Sequence, residues 1–115
     1  MERAKLCIVV PPERRNDIMA MLRSLVGPVS VSRGCLKCRL FQNVLNENMI
    51  SWEEEWRTRD DLHRHIRSRL YRQILVALDL ASEKPEVRFE HDSDGLGMEL
   101  IASIRSDPTS GRSDL

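Results

Sequence analysis

Apolar residues recur along this chain in two rhythms, every second position and every third or fourth, and the switches between them mark its elements. Lys5 to Val10 is a short run rich in β-branched residues and ended by Pro11-Pro12, which predicts a first strand. Pro12 suits the first turn of a helix and Glu13 its positive end. Ile18, Met21, Leu22 and Leu25 then recur at helical spacing, with Arg14, Arg15, Asn16 and Arg23 elsewhere on the wheel. Gly27-Pro28 is expected to stop this helix, and Val29 to Arg33 reads as a loop.

The period then falls to two. Leu36, Cys38, Leu40 and Gln42 alternate with Lys37, Arg39 and Phe41, and Ile50, Trp52, Glu54 and Trp56 alternate with Ser51, Glu53 and Glu55. Successive strand side chains point to opposite faces, so a hairpin of these two runs has one mainly apolar face and one mainly charged face. A turn centred on Asn46 sets Arg39 opposite Glu53 and Lys37 opposite Glu55. Each such pair stabilises the hairpin by about 0.2–1 kcal/mol and helps to fix its register.

Thr58 followed by Asp61 has the form of a capping box at a helix start. Leu62, Ile66, Leu70, Tyr71, Ile74, Leu75 and Leu78 form an apolar stripe to about Leu80, with the charged stretch His63 to Arg72 a point where it can break in two. Pro85 ends it, and Val87 to His91 alternates as a fourth strand. Gly95 and Gly97 frame a turn before Met98–Ile101, read as a short fifth strand. The order is β-α-β-β-α-β plus a short extra C-terminal strand: an α+β, ferredoxin-like fold with a four-stranded antiparallel sheet covered on one face by two helices. Residues 1–102 are expected to form this one domain. Residues 103–115, polar and containing Pro108 and Gly111, are expected to form a disordered tail.

Composition narrows the functional classes. The 115 residues include 18 Lys+Arg and 18 Asp+Glu, so no net field favours nucleic acid or an anionic membrane. No apolar run approaches the roughly 20 residues that span a bilayer, and the N-terminus lacks the apolar stretch of a signal peptide, so a soluble cytoplasmic protein is expected. Three cysteines in such a chain argue against a disulfide framework. Cys35-Leu-Lys-Cys38 invites a metal or redox reading, but positions i and i+3 of a strand face opposite ways, so a buried, inert Cys38 is expected and no metal site. No glycine-rich phosphate loop, nucleophile elbow or metal-binding carboxylate cluster is present, and no cofactor is expected.

Gly34-Cys-Leu-Lys-Cys-Arg-Leu-Phe-Gln42, then Glu54-Glu-Trp56, then a helix carrying His65 together resemble the antibiotic biosynthesis monooxygenase (ABM) family of small dimeric α/β-barrel proteins. The likeness runs from about Leu6 to Ile101 and includes Val-Pro-Pro-Glu-Arg-Arg after the first strand and Lys-Pro-Glu-Val-Arg-Phe-Glu at the fourth. The resemblance implies that the open sheet face packs against a second subunit. Phe41 and Met49 on that otherwise charged face are compatible with such a homodimer. It also implies a pocket for a small aromatic or apolar ligand between sheet and helices, lined by a tryptophan at the position of Trp56. Characterised relatives include cofactor-independent monooxygenases that oxidise quinols or polycyclic phenols with O2, along with haem-degrading and isomerising proteins. In the quinol oxidisers an asparagine stands four residues before the pocket tryptophan, where this chain has Trp52. The haem-degrading relatives carry an asparagine on the first strand, where this chain has Leu6, Cys7 and Ile8.

Candidate catalytic residues are His65, whose imidazole titrates near neutral pH and can act as a base, and Trp56. Candidate substrate-binding residues are Trp52, Tyr71 and Arg39. Each has a plainer role: the tryptophans and Tyr71 can fill the core, Arg39 can pair with Glu53, and His65 can bond a carbonyl or water. His63, on another face of the helix, is expected in solvent. Two functions follow: a cofactor-independent monooxygenase acting on a quinol or polycyclic phenol, or a non-catalytic dimeric barrel binding a small apolar ligand. A closed region around Trp52 and Trp56 favours the second. An open pocket joining Trp56, His65 and Tyr71 favours the first.

Overall fold

Residues 1–91, 94–96 and 98–106 are described by the structure, a computed structural model. Strand β1 spans Glu2–Val9, three residues earlier than the apolar run suggests, because Glu2, Ala4, Leu6 and Ile8 all turn inward while Arg3 and Lys5 face out. A single 3-10 turn at Pro12–Arg14 leads into α1, Arg15–Ser30. Strands β2, Cys35–Gln42, and β3, Met49–Trp56, form the expected hairpin. Helices α2, Arg59–Arg67, and α3, Leu70–Asp79, are the two pieces of the broken stripe. Strands β4, Glu86–His91, and β5, Asp94–Leu96, precede α4, Met98–Ser106.

The strands pair antiparallel in the order β2-β3-β1-β4-β5. Arg39 lies opposite Glu53 and Lys37 opposite Glu55, as a turn at Asn46 requires. Helices α1 to α3 cover one face, and the charged face remains open. Ile18, Leu22, Leu25 and Val29 hold α1 on the sheet; each buried aliphatic side chain contributes about 1.5–3 kcal/mol. No helix of the described residues is long and apolar enough to cross a membrane.

Four expectations change. Helix α1 passes through Gly27-Pro28 and ends at Ser30. Near a C-terminus Pro28 forfeits one backbone bond, and the completely buried Val29 anchors the last turn in compensation. Met98–Ile101 is helical, because Leu100, Ile101 and Ile104 share one buried helical face; the extra strand is instead Asp94–Leu96. Helix α4 therefore runs through Ser106, into the stretch expected to be a tail, whose remainder lies outside the described residues. Finally, the β2–β3 register shifts between Cys35 and Lys37. This bulge puts Leu36 in solvent and sets Cys35 beside Trp56 and Cys38 beside Glu54. Both cysteines thus face the helices, which the simple i, i+3 alternation did not allow for.

Candidate functional site

Strand β3 turns Ile50, Trp52, Glu54 and Trp56 into the helical layer. A carboxylate among these side chains must find donors, since an unpaired buried charge is strongly unfavourable. Glu54 is 2% exposed and has three nitrogen partners. The Trp56 indole donates to Oε1 at 2.9 Å and the Trp52 indole donates to Oε2 at 2.6 Å. His65 Nε2 meets the same Oε2 at 2.9 Å.

His65 is brought there by a short, firmly capped helix. The Thr58 hydroxyl accepts from the Asp61 backbone N–H at 3.1 Å and donates to Asp61 Oδ2 at 2.9 Å, while Arg64 donates to Oδ1 at 2.8 Å. These bonds hold the Asp61 carboxyl below the usual carboxylate range, Arg64 acting first and Thr58 second. Gly34 lies against this cap with φ +85°, and a Cβ on it would overlap the Asp61 side chain. At the other end Ser68 turns extended, and both its N–H and its hydroxyl donate to the His65 carbonyl. That turn splits α2 from α3 and fixes His65 at the seam.

The Trp56 and His65 rings stack at 4.6 Å with an interplanar angle of 27°. Tyr71 approaches His65 edge-on at 5.1 Å. Burial first, then the Glu54 charge, pushes the Tyr71 phenol well above its ordinary range, against an opposing pull from Arg105. Trp52, Trp56, His65 and Tyr71 therefore form one cluster, and all are buried. An apolar cavity of about 10 Å³ beside Trp52, bounded by Leu6, Ile8, Leu22, Ile50 and Ile74 among others, holds one water at most. Helix α4 packs on α2 and β4 at this end of the molecule, and Arg105 donates to the Ile66 carbonyl.

Arg39 is not part of this cluster. It lies on the open face beside Arg3, Lys5, Lys37, Glu53 and Glu55. His63 is buried rather than solvated, and burial, then Arg67 and Arg59, lower its basicity. Burial also pushes the Cys35 thiol up to about 11 and Cys38 higher still, with the Glu54 charge adding to both. Both stay protonated at neutral pH, whereas a metal ligand or redox nucleophile needs the thiolate. On the far side of Trp56, Glu2 is buried and meets His91 Nδ1.

Glu54 is the residue that sequence reasoning left without a role. Its signal was present: one acid at an inward strand position between two tryptophans, whose indole nitrogens are donors only. The arrangement offers an imidazole able to exchange a proton, held between an aromatic plane and a carboxylate.

Similarity to known proteins agrees with this architecture. A solved antibiotic biosynthesis monooxygenase superimposes with a TM-score of 0.72 at 19% identity, covering 82% of this chain and all of its own. A conserved protein of Methanosarcina mazei Go1 gives 0.71 at 23% identity, covering 78% and 90%. A Mycobacterium tuberculosis protein gives 0.72 at 19% identity, covering 81% and 95%. At such identities these structures speak for the fold. No curated protein matches the chain. The sequence profile of antibiotic biosynthesis monooxygenase matches residues 7–76, more than half of the chain and the whole of the Trp52, Glu54, Trp56, His65 and Tyr71 cluster. The chain belongs to the antibiotic biosynthesis monooxygenase family.

Proposed function

We propose that this protein is a cofactor-independent monooxygenase that oxidises a quinol or polycyclic phenol with O2, using His65 as the base. The observation that carries the reading is the buried Glu54–His65 contact at 2.9 Å, with Trp56 stacked on the imidazole. Hydrophobic packing alone does not call for a carboxylate and an imidazole in the core, and buried titratable pairs of this kind concentrate at working sites.

His65 removes the phenolic proton, and the resulting phenolate has carbanion character at a ring carbon. That carbon gives an electron to O2, the radical pair closes a C–O bond, and the peroxide takes the proton back from His65. Loss of water, with the hydrogen of the attacked carbon, leaves a quinone. One phenol and one O2 give one quinone and one water, so the substrate supplies all four electrons. Tyr71 and Trp52 border the ring-binding space in this scheme. The buried groups become reachable when α4, which covers this end and supplies none of the five clustered side chains, moves aside.

The working unit in this reading is a homodimer closed through the open sheet face, where Phe41 is 43% exposed and charges alternate across the strands. A cytoplasmic setting suits its three free cysteines.

The competing reading is a non-catalytic barrel that binds a small apolar ligand. The closure around Trp52 and Trp56 favours it, as does Trp52 in place of the asparagine of the quinol oxidisers. Titrating tryptophan fluorescence with quinols, polycyclic phenols and haemin separates the two. Saturable quenching, together with oxygen uptake that is lost in His65→Ala, supports the oxygenase. Quenching with no oxygen uptake leaves the binding protein.

A further inference from the structure

We infer that Glu54 is a positioning residue: it holds His65 in the Nε2–H tautomer, so that Nδ1 is the atom that takes the substrate proton. An indole nitrogen can only donate, so the Trp56 and Trp52 contacts make both oxygens of Glu54 acceptors. Trp52 donates to Oε2, the same oxygen that meets His65 Nε2. A carboxylate so held repels a bare imidazole lone pair 2.9 Å away and attracts an N–H. Nε2 therefore carries hydrogen, and the basic lone pair of neutral His65 is on Nδ1.

When Nδ1 is protonated, the imidazolium keeps its Nε2–H on Glu54 and lies over the Trp56 ring, whose face favours a cation. Trp56 is thus doubly occupied: its N–H is on Glu54 and one ring face is against His65. This gives the tryptophan a role in holding the base rather than in stacking with substrate. The carboxylate, imidazole and reacting proton stand in the order familiar from hydrolytic triads, where the carboxylate orients the ring and does not itself take the proton.

The inference deepens the reading of His65 as the base of the proposed oxygenase, but the tautomer can be read without any turnover. Two-bond proton–nitrogen correlation spectra of the intact, nitrogen-15-labelled protein report which ring nitrogen of His65 carries hydrogen. The expected result is a pyrrole-type Nε2 and a pyridine-type Nδ1. A pyridine-type Nε2, or two averaged nitrogens, overturns the inference whether or not any phenol is oxidised. Glu54→Gln supplies the second arm, because the amide retains the size of the side chain and exchanges one acceptor for a donor. It should weaken or invert the tautomer preference and lower kcat by about a hundredfold or more, with KM nearly unchanged. A Glu54→Gln protein that keeps the Nε2–H tautomer contradicts the positioning role. Wild-type protein with the Nε2–H tautomer but no oxygen uptake leaves the tautomer standing and removes the oxygenase.

Discussion

Glu54 and His65, eleven residues apart in sequence, meet at 2.9 Å across the seam between β3 and α2, where both are almost completely buried. The strand delivers the carboxylate between two indole donors, and the capped helix delivers the imidazole. Neither element alone makes a site. Removing the acceptor shows the cost: Glu54→Leu strands two indole N–H groups and the imidazole, at about 1–3 kcal/mol for each unsatisfied group. Urea unfolding should show a loss of several kcal/mol for Glu54→Leu and a smaller one for Glu54→Gln. Equal losses would mean that volume matters at this position and hydrogen bonding does not.

Gly34 is a second point of close tolerance. Its φ of +85° and its contact with the Asp61 cap exclude a side chain. Gly34→Ala should cost about 1–3 kcal/mol from backbone strain alone, and less in an Asp61→Ala background, where the overlap is relieved. Urea melts of the double-mutant cycle measure this; strict additivity would show that the two residues do not meet.

His63 predicts a pH dependence. Its imidazole is held below its ordinary 6.5, first by burial and then by Arg67 and Arg59. The unfolded chain therefore binds more protons than the folded one between the lowered value and 6.5. The contribution is complete above about 6.5, declines as pH falls through that window, and levels off below the folded value. Urea midpoints measured across this range should fall less steeply in His63→Gln than in the wild type. Parallel slopes would contradict the assignment.

The sequence made much of this fold legible, for physical reasons that differ from element to element. The period-two runs and opposite charges gave the hairpin and its register, because Arg39 and Lys37 can face Glu53 and Glu55 in one pairing only. Thr58 and Asp61 gave the start of α2. Pro28 misled because its cost near a helix end is small beside the burial of Val29. The bulge at Leu36 was not visible, since one extra residue changes facing without changing composition, and it moved Cys35 to the side of Cys38. Trp52, Trp56, His65 and Tyr71 could be named as candidates individually. The strand pattern places Glu54 between its two indole donors, but its third partner, His65, comes from another element, and that meeting no local pattern encodes.

Under the oxygenase reading, access to the cluster turns on α4. Leu100, Ile101 and Ile104 are its buried residues, and Arg105 ties it to Ile66. Hydrogen exchange of the intact protein should show Met98–Ser106 opening locally, ahead of α2 and α3. Arg105→Ala should raise acrylamide quenching of the tryptophans. Exchange of α4 only through global unfolding would deny it this role.

The open face carries Lys37, Glu55, Arg3 and Glu90 in one cross-strand row and Arg39, Glu53, Lys5 and Arg88 in the next. A homodimer closed on these rows should weaken with rising salt. Glu53→Lys, which makes the second row wholly basic, should weaken it more than about tenfold. Sedimentation velocity over a dilution series reads both effects, and a dimer indifferent to salt and to Glu53→Lys would be held by another surface.

Oxygen uptake by the purified protein, followed with an electrode against a panel of quinols and polycyclic phenols, tests the oxygenase reading most directly. One O2 should be consumed per quinone formed with at least one of these compounds and no added cofactor, and His65→Ala should reduce the rate to that of the uncatalysed reaction. Saturable ligand binding with no oxygen uptake, or uptake unchanged in His65→Ala, would contradict it.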